Sequence, residues 1–240
     1  MAEPHYKRIL LKLSGEALTG TSKNGISPEV VHYIAKEVKE IYNFNVDIAI
    51  VVGGGNFIRG EMISHNGIDR VTGDYMGMMA TIINAMALVD GFEKEGLPCR
   101  LQSAITVQTV AEPLIRRKAL NHIEKRRIVI FAGGTGNPYF TTDTSGVLRA
   151  MEIGAEVIFK ATKVDGIYNK DPMKDPNATL YERLSFSEAF ENKDIRVMDK
   201  TALSLCMENK LPIRVFNLMQ KGNLKKAVFN EAVGTIVKEN

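Results

Sequence analysis

This 240-residue sequence has four segments, each following a predicted strand, whose side chains could bind a ligand or take part in catalysis. They are residues 12–15 (KLSG), 53–59 (GGGNFIR), 133–143 (GGTGNPYFTTD) and 162–171 (TKVDGIYNKD). Three of them are glycine-bearing turns between a strand and a helix, where bare backbone N–H groups can surround an anion and the helix N-terminus adds partial positive charge. In a single turn of this kind, glycine is often present only because the backbone conformation requires it. Three such turns at successive strand ends predict a polyphosphate site.

Charged and hydroxyl side chains accompany these turns. Lys12 interrupts an apolar strand and, because a buried unpaired ammonium is costly, we expect it to have an anionic partner or to lie at the open end of the strand. Arg59 is equally compatible with a bidentate phosphate contact and with a surface position. Thr141, Thr142 and Thr144 cluster at a helix start, where capping explains one hydroxyl but not three.

Other polar residues are less specific, and the familiar nucleotide motifs are missing. Asp143 is either an acid at a helix start or a carboxylate close to a metal ion, and Asp171 before Pro172 is compatible with a simple turn. The sequence has no G-x-x-x-x-G-K-[ST], no complete protein-kinase set and no convincing G-x-G-x-x-G after the first strand. Phosphoryl transfer by this chain would therefore use another scaffold.

Short apolar runs alternate with helical patterns along the chain. Strands are predicted at 8–13, 47–52, 99–102, 127–132, 156–161, 213–216 and 235–238, and helices from Ser27-Pro28 onward and at 74–95, 113–124, 144–154 and 201–209. Residues 165–177 are predicted as loop or hairpin, and the stripe of Met78, Ile82, Met86 and Val89 as core packing. The alternation predicts α/β class: one three-layer α/β/α sandwich over residues 1–240, with a mostly parallel central sheet.

Composition excludes several classes of protein. The excess of 31 Lys and Arg over 28 Asp and Glu gives a charge of +3, which is too small to indicate nucleic-acid binding. Cys99 and Cys206 are far apart and lack a CxxC partner, which indicates a reduced, cytoplasmic compartment and no metal cluster. Lys12 splits the N-terminal apolar run, so no signal peptide is expected. No window approaches the ~18 apolar residues of a membrane span, so no membrane role is expected.

Six segments of the sequence resemble the bacterial UMP kinases of the amino-acid kinase superfamily. They are KLSGEAL (12–18), GGGNFIRG (53–60), GDYMGMMAT (73–81), GTGNPYFTTDT (134–144), KATKVDGIYNKDP (160–172) and VMDKTA (197–202). They occur in the family's order over nearly the whole chain, and GTGNPYFTTD together with the GGGN and GDYMGM pair separates this branch from the aspartate and acetylglutamate kinases. The resemblance implies phosphoryl transfer from Mg-ATP to UMP, giving UDP and ADP in pyrimidine nucleotide biosynthesis.

The resemblance also implies the residues of the donor site. Lys12 would bridge donor and acceptor at the transferred group, and Asp199 resembles the acid that orients catalytic lysines in the superfamily. The implied ATP-binding residues are Lys12, Leu13, Ser14, Gly15, Gly55, Arg59, Thr162, Tyr168 and Asp171.

For the acceptor, the resemblance implies that Asp74 holds the ribose hydroxyls of UMP and that the segment from Thr135 to Thr142 reads uracil. The implied UMP-binding residues are Gly54, Asp74, Thr135, Gly136, Asn137, Pro138, Tyr139, Phe140, Thr141 and Thr142. The acceptor atom is a phosphate oxygen that is already ionised at neutral pH, so the reaction needs alignment and charge neutralisation rather than a strong general base.

Regulation follows only from the resemblance, and assembly follows from the resemblance together with the predicted 74–95 helix, which is more apolar than a solvent-facing helix would be. One segment falls where GTP-responsive relatives bind their effector: Gly20, Thr21, Ser22, Lys23, Asn24 and Gly25. It lacks the acid and the aromatic residue that some relatives carry, so whether GTP activates or UTP inhibits stays open. The family also implies a homohexamer and Mg²⁺ that arrives with ATP, with no metal-binding residues assigned in the chain.

Two other functions stay open beside the kinase. One is a non-catalytic nucleotide-binding or storage protein on the same scaffold, which need not keep Lys12, Arg59 and Asp74 together. The other is an amino-acid or carbamate kinase of the superfamily, which GTGNPYFTTD opposes.

Overall fold

The computed structural model describes residues 3–22, 24–58, 67–170, 172, 174–175, 177–192, 195 and 197–239. Its strands are β1 (Arg8–Leu13), β2 (Asp47–Val52), β3 (Cys99–Ser103), β4 (Glu112–Pro113), β5 (Ile128–Ala132), β6 (Val157–Thr162), β7 (Ile167–Tyr168), β8 (Leu180–Tyr181), β9 (Arg183–Ser185), β10 (Ile213–Asn217) and β11 (Thr235–Lys238). Its α-helices are α1 (Pro28–Tyr42), α2 (Arg70–Lys94), α3 (Arg116–Glu124), α4 (Thr142–Ile153), α5 (Phe186–Glu191), α6 (Lys200–Glu208) and α7 (Asn223–Val228). A 3-10 helix covers Gly15–Thr19.

Nine of the strands form one twisted sheet in the order β4-β3-β5-β2-β1-β6-β10-β11-β9. Within the described residues every neighbouring pair is parallel except β10 and β11. β7 and β8 form a separate antiparallel hairpin; β7 lies within residues 165–177, which the sequence predicted as loop or hairpin, and β8 follows that segment. The predicted mostly parallel α/β architecture is confirmed.

Two apolar clusters cover the two faces of the sheet. On one face α1, α2 and α7 pack over side chains such as Ile9, Leu11 and Ile50. On the other face α3, α4, α5 and α6 pack over side chains such as Leu10 and Ile158. Alternate residues of β1 therefore enter opposite clusters, as a strand buried on both faces requires.

Local signals place the start of α1 correctly. Ser27 caps the helix by accepting a hydrogen bond from the backbone N–H of Val30, and Pro28 occupies the first turn. By contrast, α2 starts at Arg70 rather than at Asp74, because Asp69 caps it by accepting from the N–H of Thr72.

Several other predicted boundaries are wrong for identifiable reasons. The helix expected from 113 begins at Arg116, because Glu112–Pro113 pairs with β3 at the edge of the sheet, where a proline without an N–H is tolerated. The helix expected from 144 begins at Thr142, because Thr141 is its N-cap. The short elements β9, α5 and α7 carry too few residues to show a period and were not predicted.

Helix α2 departs from two expectations. Met78 and Ile82 are buried as predicted, but Met86 of the same predicted stripe is exposed.

By length and composition, helix α2 is also long and apolar enough to cross a membrane, although half of its 18-residue apolar stretch is buried inside the protein. Such burial is what a core helix shows, so this property is weak support for a membrane span.

Candidate active site

A cavity of about 470 Å³ lies beyond the carboxyl ends of β1, β2 and β5. This is the edge of an open parallel sheet at which ligands usually bind. Its lining is shared by the predicted donor and acceptor segments and by helix α2: Lys12, Ser14, Gly15, Glu16, Gly53, Gly54, Gly55, Ile58, Arg70, Asp74, Gly77, Met78, Thr81, Gly134, Thr135, Phe140, Thr141, Thr142 and Asp143.

Glycine is required at two positions because backbone segments approach closely there. A Cβ on Gly54 would lie 2.6 Å from the carbonyl oxygen of Gly77 in α2, and a Cβ on Gly15 would overlap Asn56 Oδ1. Residues 53–55 are therefore pressed between the end of β1 and helix α2. Only a chain without side chains fits this space, which leaves its backbone at the cavity wall.

Lys12 lines this cavity, and Lys160 lies beside it, lining a neighbouring cavity that shares Asp143 with the first. The parallel register of β1 and β6 places Lys12 opposite Lys160. Asp143, in the first turn of α4, lies between them: its Oδ1 is 2.7 Å from Lys12 Nζ, and its Oδ2 accepts from Lys160 Nζ at 2.9 Å. Lys160 Nζ also donates to the carbonyl oxygen of Val197. Lys12 thus has the anionic partner that the sequence led us to expect.

Burial and charge act in opposite directions on this cluster. Burial alone would raise the pKa of the Asp143 carboxyl, but Lys12 and Lys160 outweigh it and lower the pKa to about 2. Burial also lowers the pKa of Lys160, against the raising effect of Asp143. Asp143 is therefore ionised at neutral pH and serves as a fixed counter-charge to the lysines rather than as a proton acceptor.

The carboxylate in direct contact with both lysines is Asp143. The resemblance implies Asp199 as the acid that orients the lysines, and that role stays a prediction. Asp199 caps α6 by accepting from the N–H of Ala202. It also accepts from the hydroxyls of Thr141 and Thr144. Asp199 thereby links the start of α6 to the start of α4, and its negative charge also acts on Lys160, whose pKa it raises against the lowering effect of burial.

Asp74 lies at the cavity wall. In the structure its two oxygens accept from Arg70 Nε at 3.0 and 2.9 Å, and Oδ2 also accepts from the N–H of Tyr139 at 2.8 Å. The Arg70 guanidinium also lies over the Tyr139 ring, 5.5 Å from its centroid. Helix α2 and the 134–142 loop therefore meet at this carboxylate.

The structure brings only part of the predicted acceptor loop to the cavity. Thr135, Phe140, Thr141 and Thr142 line it. The remaining members, Gly136, Asn137, Pro138 and Tyr139, lie outside that lining, and Tyr139 touches the site through its backbone contact with Asp74. The loop is folded by its own polar groups, since the Thr135 hydroxyl donates to the carbonyl oxygen of Asn137 at 3.0 Å.

The predicted donor residues divide into two groups. Ser14, Gly15 and Gly55 line the cavity, while the side chain of Leu13 is buried in the core and only its backbone reaches the strand end. Thr162 and Tyr168 lie at the end of β6 and in β7, outside that lining. The Thr162 hydroxyl donates to the carbonyl oxygen of Val164 at 2.6 Å. Arg59 and Asp171 lie outside the described residues.

The predicted effector segment follows the 3-10 helix. Gly20 has φ 61°, and Thr21, Ser22 and Asn24 are exposed. Lys23 lies outside the described residues. Gly25 is joined to the glycine-rich turn, because Asn56 Nδ2 donates to its carbonyl oxygen at 2.8 Å.

Sequence reasoning missed two residues of the site. Lys160 repeats the signal that singled out Lys12, a lone lysine in an apolar strand (EVIFKA), and could have been found by that rule. Arg70 precedes Asp74 by one helical turn, a spacing that brings side chains together once the helix is known to start at Arg70.

Comparison with known proteins agrees with this geometry. Residues 7–217 match the sequence model described as the Amino acid kinase family. The fold is similar to a UMP kinase from Bacillus anthracis (TM-score 0.93, 37% identity, covering 98% of this chain and 97% of that one). It is also similar to a UMP kinase from Ureaplasma parvum (TM-score 0.89, 35% identity, 100% of both chains) and to a uridylate kinase from Archaeoglobus fulgidus (TM-score 0.72, 30% identity, 95% and 99%). The chain therefore belongs to the amino acid kinase family, and within it to the UMP kinases.

Proposed function

We propose that this protein transfers the terminal phosphoryl group of ATP to UMP, giving UDP and ADP. The observation that carries the proposal is Lys12 in a cavity between the glycine-rich turns and Asp74, held by Asp143, which also binds the neighbouring Lys160. The UMP kinases with the same fold support the choice of acceptor. The proposal treats residues 1–240 as one domain.

The chemistry is positioning and charge neutralisation. Both nucleotides bring phosphates, and the charge on the transferred group is shared between them as it passes across. Lys12 bridges donor and acceptor at that moment, and Lys160 supplies a second positive charge beside it. Because their position is fixed by Asp143 before substrate binds, their attraction requires little reorganisation during the reaction.

On the acceptor side, Asp74 accepts the ribose hydroxyls of UMP, and Gly54 with the 135–142 loop encloses the phosphate and uracil. On the donor side, the backbone of residues 13–15 and Gly55 faces the ATP phosphates, while Thr162 and Tyr168 contact the nucleoside. Arg59 as a phosphate ligand and Asp171 as a nucleoside contact stay predictions from the resemblance.

Mg²⁺ bound with ATP is part of the proposal. Among the described residues no three His, Cys, Asp or Glu side chains converge as a metal-binding group, and both oxygens of Asp143 face lysines. This donor set fits a magnesium ion that is held mainly by the nucleotide's phosphates and by water, as Mg²⁺ commonly is in kinases. When bound, the ion would neutralise part of the phosphate charge.

The outer face of α2 supports self-association, which we propose is hexameric. Four large side chains are exposed along it at helical spacing: Tyr75, Met79, Ile83 and Met86. An apolar face of this size on one helix marks an interaction surface. Light scattering at micromolar concentration should give a hexamer mass, and a monomer mass would contradict this part of the proposal.

Cytoplasmic location and a response to GTP or UTP complete the proposal. In support, Asn56 of the glycine-rich turn donates to the carbonyl oxygen of Gly25, the last residue of the proposed effector segment. Titrating GTP and UTP into the UMP assay tests this point directly.

An ADP-release assay across UMP, CMP, AMP, aspartate and acetylglutamate tests the proposed function. We expect UMP to be phosphorylated far faster than CMP or AMP, because the 135–142 loop encloses the base. Equal rates with CMP would contradict the role of that loop. Turnover of aspartate would identify an amino-acid kinase, and nucleotide binding without turnover would identify a binding or storage protein.

A further inference from the structure

Two buried asparagines form a closed amide pair behind the glycine-rich turn. Asn56 and Asn84 are almost fully inaccessible to solvent. Asn56 Nδ2 donates to Asn84 Oδ1 at 2.9 Å, and Asn84 Nδ2 donates to Asn56 Oδ1 at 2.7 Å. Each amide also donates a hydrogen bond to a backbone carbonyl oxygen: Asn84 to that of Gly53 at 2.7 Å, and Asn56 to that of Gly25 at 2.8 Å.

Neither side chain can be reversed or replaced by its acid. Turning the Asn84 amide over would set its oxygen against the carbonyl oxygen of Gly53, and turning Asn56 would do the same at Gly25. A carboxylate at either position would face carbonyl oxygens and lose both donors. The hydrogen bonds of the pair therefore fix the orientation of both amides. Packing of helix α2 in the core would by itself require only apolar side chains of suitable size.

The hydrogen bond to Gly53 fixes a peptide plane at the cavity wall. The N–H of Gly53 donates to the carbonyl oxygen of Leu13 at 2.9 Å, and its C=O accepts from Asn84, so both of its peptide groups are held. In a trans peptide the N–H of the next residue points away from that C=O. With the Gly53 oxygen directed at Asn84 in the protein interior, the N–H of Gly54 is directed away from Asn84.

We infer that Asn84, locked by Asn56, is a positioning residue that directs the N–H of Gly54 toward the phosphate groups in the cavity. The inference rests on the proposed phosphoryl transfer, because only that function places a phosphate at Gly54. It adds a role for two residues that do not line the cavity. Asn84 also connects the site with helix α2, and Asn56 connects it with Gly25.

The test compares Asn84→Leu, Asn84→Ser and Asn56→Leu with a control of reduced stability, Ile41→Ala, whose side chain is fully buried in α1. Kinetics are measured with ATP and UMP below the melting temperature of every variant. Removing a well-placed donor lowers turnover by about 10²–10³-fold, and misdirecting one should lower kcat of Asn84→Leu by at least about tenfold. Asn84→Ser, which is small enough to fold and keeps one hydroxyl donor, should lose less. Ile41→Ala should lose melting temperature but keep its kcat.

A second measurement needs no substrate. Hydrogen exchange of the peptide that covers residues 50–57 should be faster in Asn84→Ser than in Ile41→Ala. Unchanged exchange there, or a kcat of the folded Asn84 variants equal to that of the control, would overturn the inference. If the wild-type protein phosphorylates neither UMP nor any other acceptor, the proposed function fails, and the exchange result still decides whether Asn84 holds the turn.

Discussion

The two ends of the central sheet carry the same arrangement of charge, an aspartate between two cations, but they differ in what surrounds it. At the carboxyl ends of the strands, Asp143 lies between Lys12 and Lys160. At the amino ends, Asp47 lies between Arg8 and Arg126, with N–O distances of 3.0 and 3.2 Å. Arg8 and Lys12 belong to the same strand.

The difference lies in where the remaining hydrogen-bond donors point. Arg8 donates to the carbonyl oxygen of Ile153, and Arg126 donates to that of Tyr42, so the arginines satisfy the last carbonyls of α4 and α1. The lysines are more buried, with 10% and 17% of their side chains exposed against 30% and 33% for the arginines. Each lysine lines a cavity, Lys12 the one between the glycine-rich turns and Asp74, and Lys160 a neighbouring one. The same charge pattern thus stabilises helix ends at one edge of the sheet and forms a candidate anion site at the other.

Lys12→Ala should give the largest effect. A lysine that bridges two phosphates meets the most charge in the transition state, so its loss should lower kcat by about 10²–10³-fold with only small changes in both Michaelis constants. Steady-state kinetics measure this, and circular dichroism checks the fold. The matched variant Arg8→Ala should keep its kcat. A fully active or unfolded Lys12→Ala would show that this lysine is structural.

Asp143→Asn should lower kcat by roughly 10–100-fold, because one lysine loses its partner while the amide oxygen of the asparagine can still accept a hydrogen bond from the other lysine.

Asp143→Asn should also change the acid sensitivity of the fold. The folded-state pKa of Asp143 is about 2, below about 3.9 in an unfolded chain. Its contribution to stability is therefore complete above the unfolded pKa and is lost as pH falls toward 2.

The size of that contribution is roughly 2–3 kcal/mol. Thermal unfolding of wild type and Asp143→Asn between pH 7 and pH 2 measures it. The difference in stability between the two should shrink as the pH falls. A difference that stays constant over this range would mean that Asp143 is not the source of the acid sensitivity.

Asp74→Asn should affect one substrate only. A carboxylate that accepts two ribose hydroxyls contributes roughly 1.5–3 kcal/mol, so the Michaelis constant for UMP should rise by about tenfold or more while that for ATP stays nearly the same. Removing the carboxylate also releases Arg70. Arg70→Met separates the two effects, since it keeps Asp74. A loss of ATP affinity in Asp74→Asn would show that Asp74 does not belong to the UMP subsite.

Asp47→Asn should give the smallest effect and completes the comparison. Partly exposed ion pairs contribute about 1 kcal/mol or less, so the melting temperature should fall slightly and kcat should not change. Thermal unfolding measures the melting temperature, and the UMP assay on the same preparation measures kcat. A drop in kcat here would mean that the two ends of the sheet are coupled and would weaken the contrast drawn above.

Sequence patterns predicted the strands well because each strand is a local run of apolar residues. β1, β2 and β11 lie where the sequence placed them. Helix starts were correct where the cap is next to the apolar pattern, as at Ser27, and wrong where the cap precedes a weakly periodic stretch, as at Asp69. The outward position of Met86 was missed because α2 is apolar on more than one side, so its period does not show which side is buried.

The motifs by themselves determined the family of the protein and the strand ends that form its cavity, because the carboxyl ends of parallel strands meet at one edge of the sheet. Which acid meets Lys12 was decided only by the tertiary structure. The register of β1 against β6 brings Lys160 beside Lys12, and the start of α4 at Thr142 turns Asp143 toward both. The resemblance pointed to Asp199 as the orienting acid because its motif is recognisable, but the sequence named no partner for Lys12, since ion pairs depend on distances between segments far apart in the chain. The sequence did not predict the amide pair of Asn56 and Asn84 for the same reason. Its hydrogen bonds form only when helix α2 packs behind the glycine-rich turn.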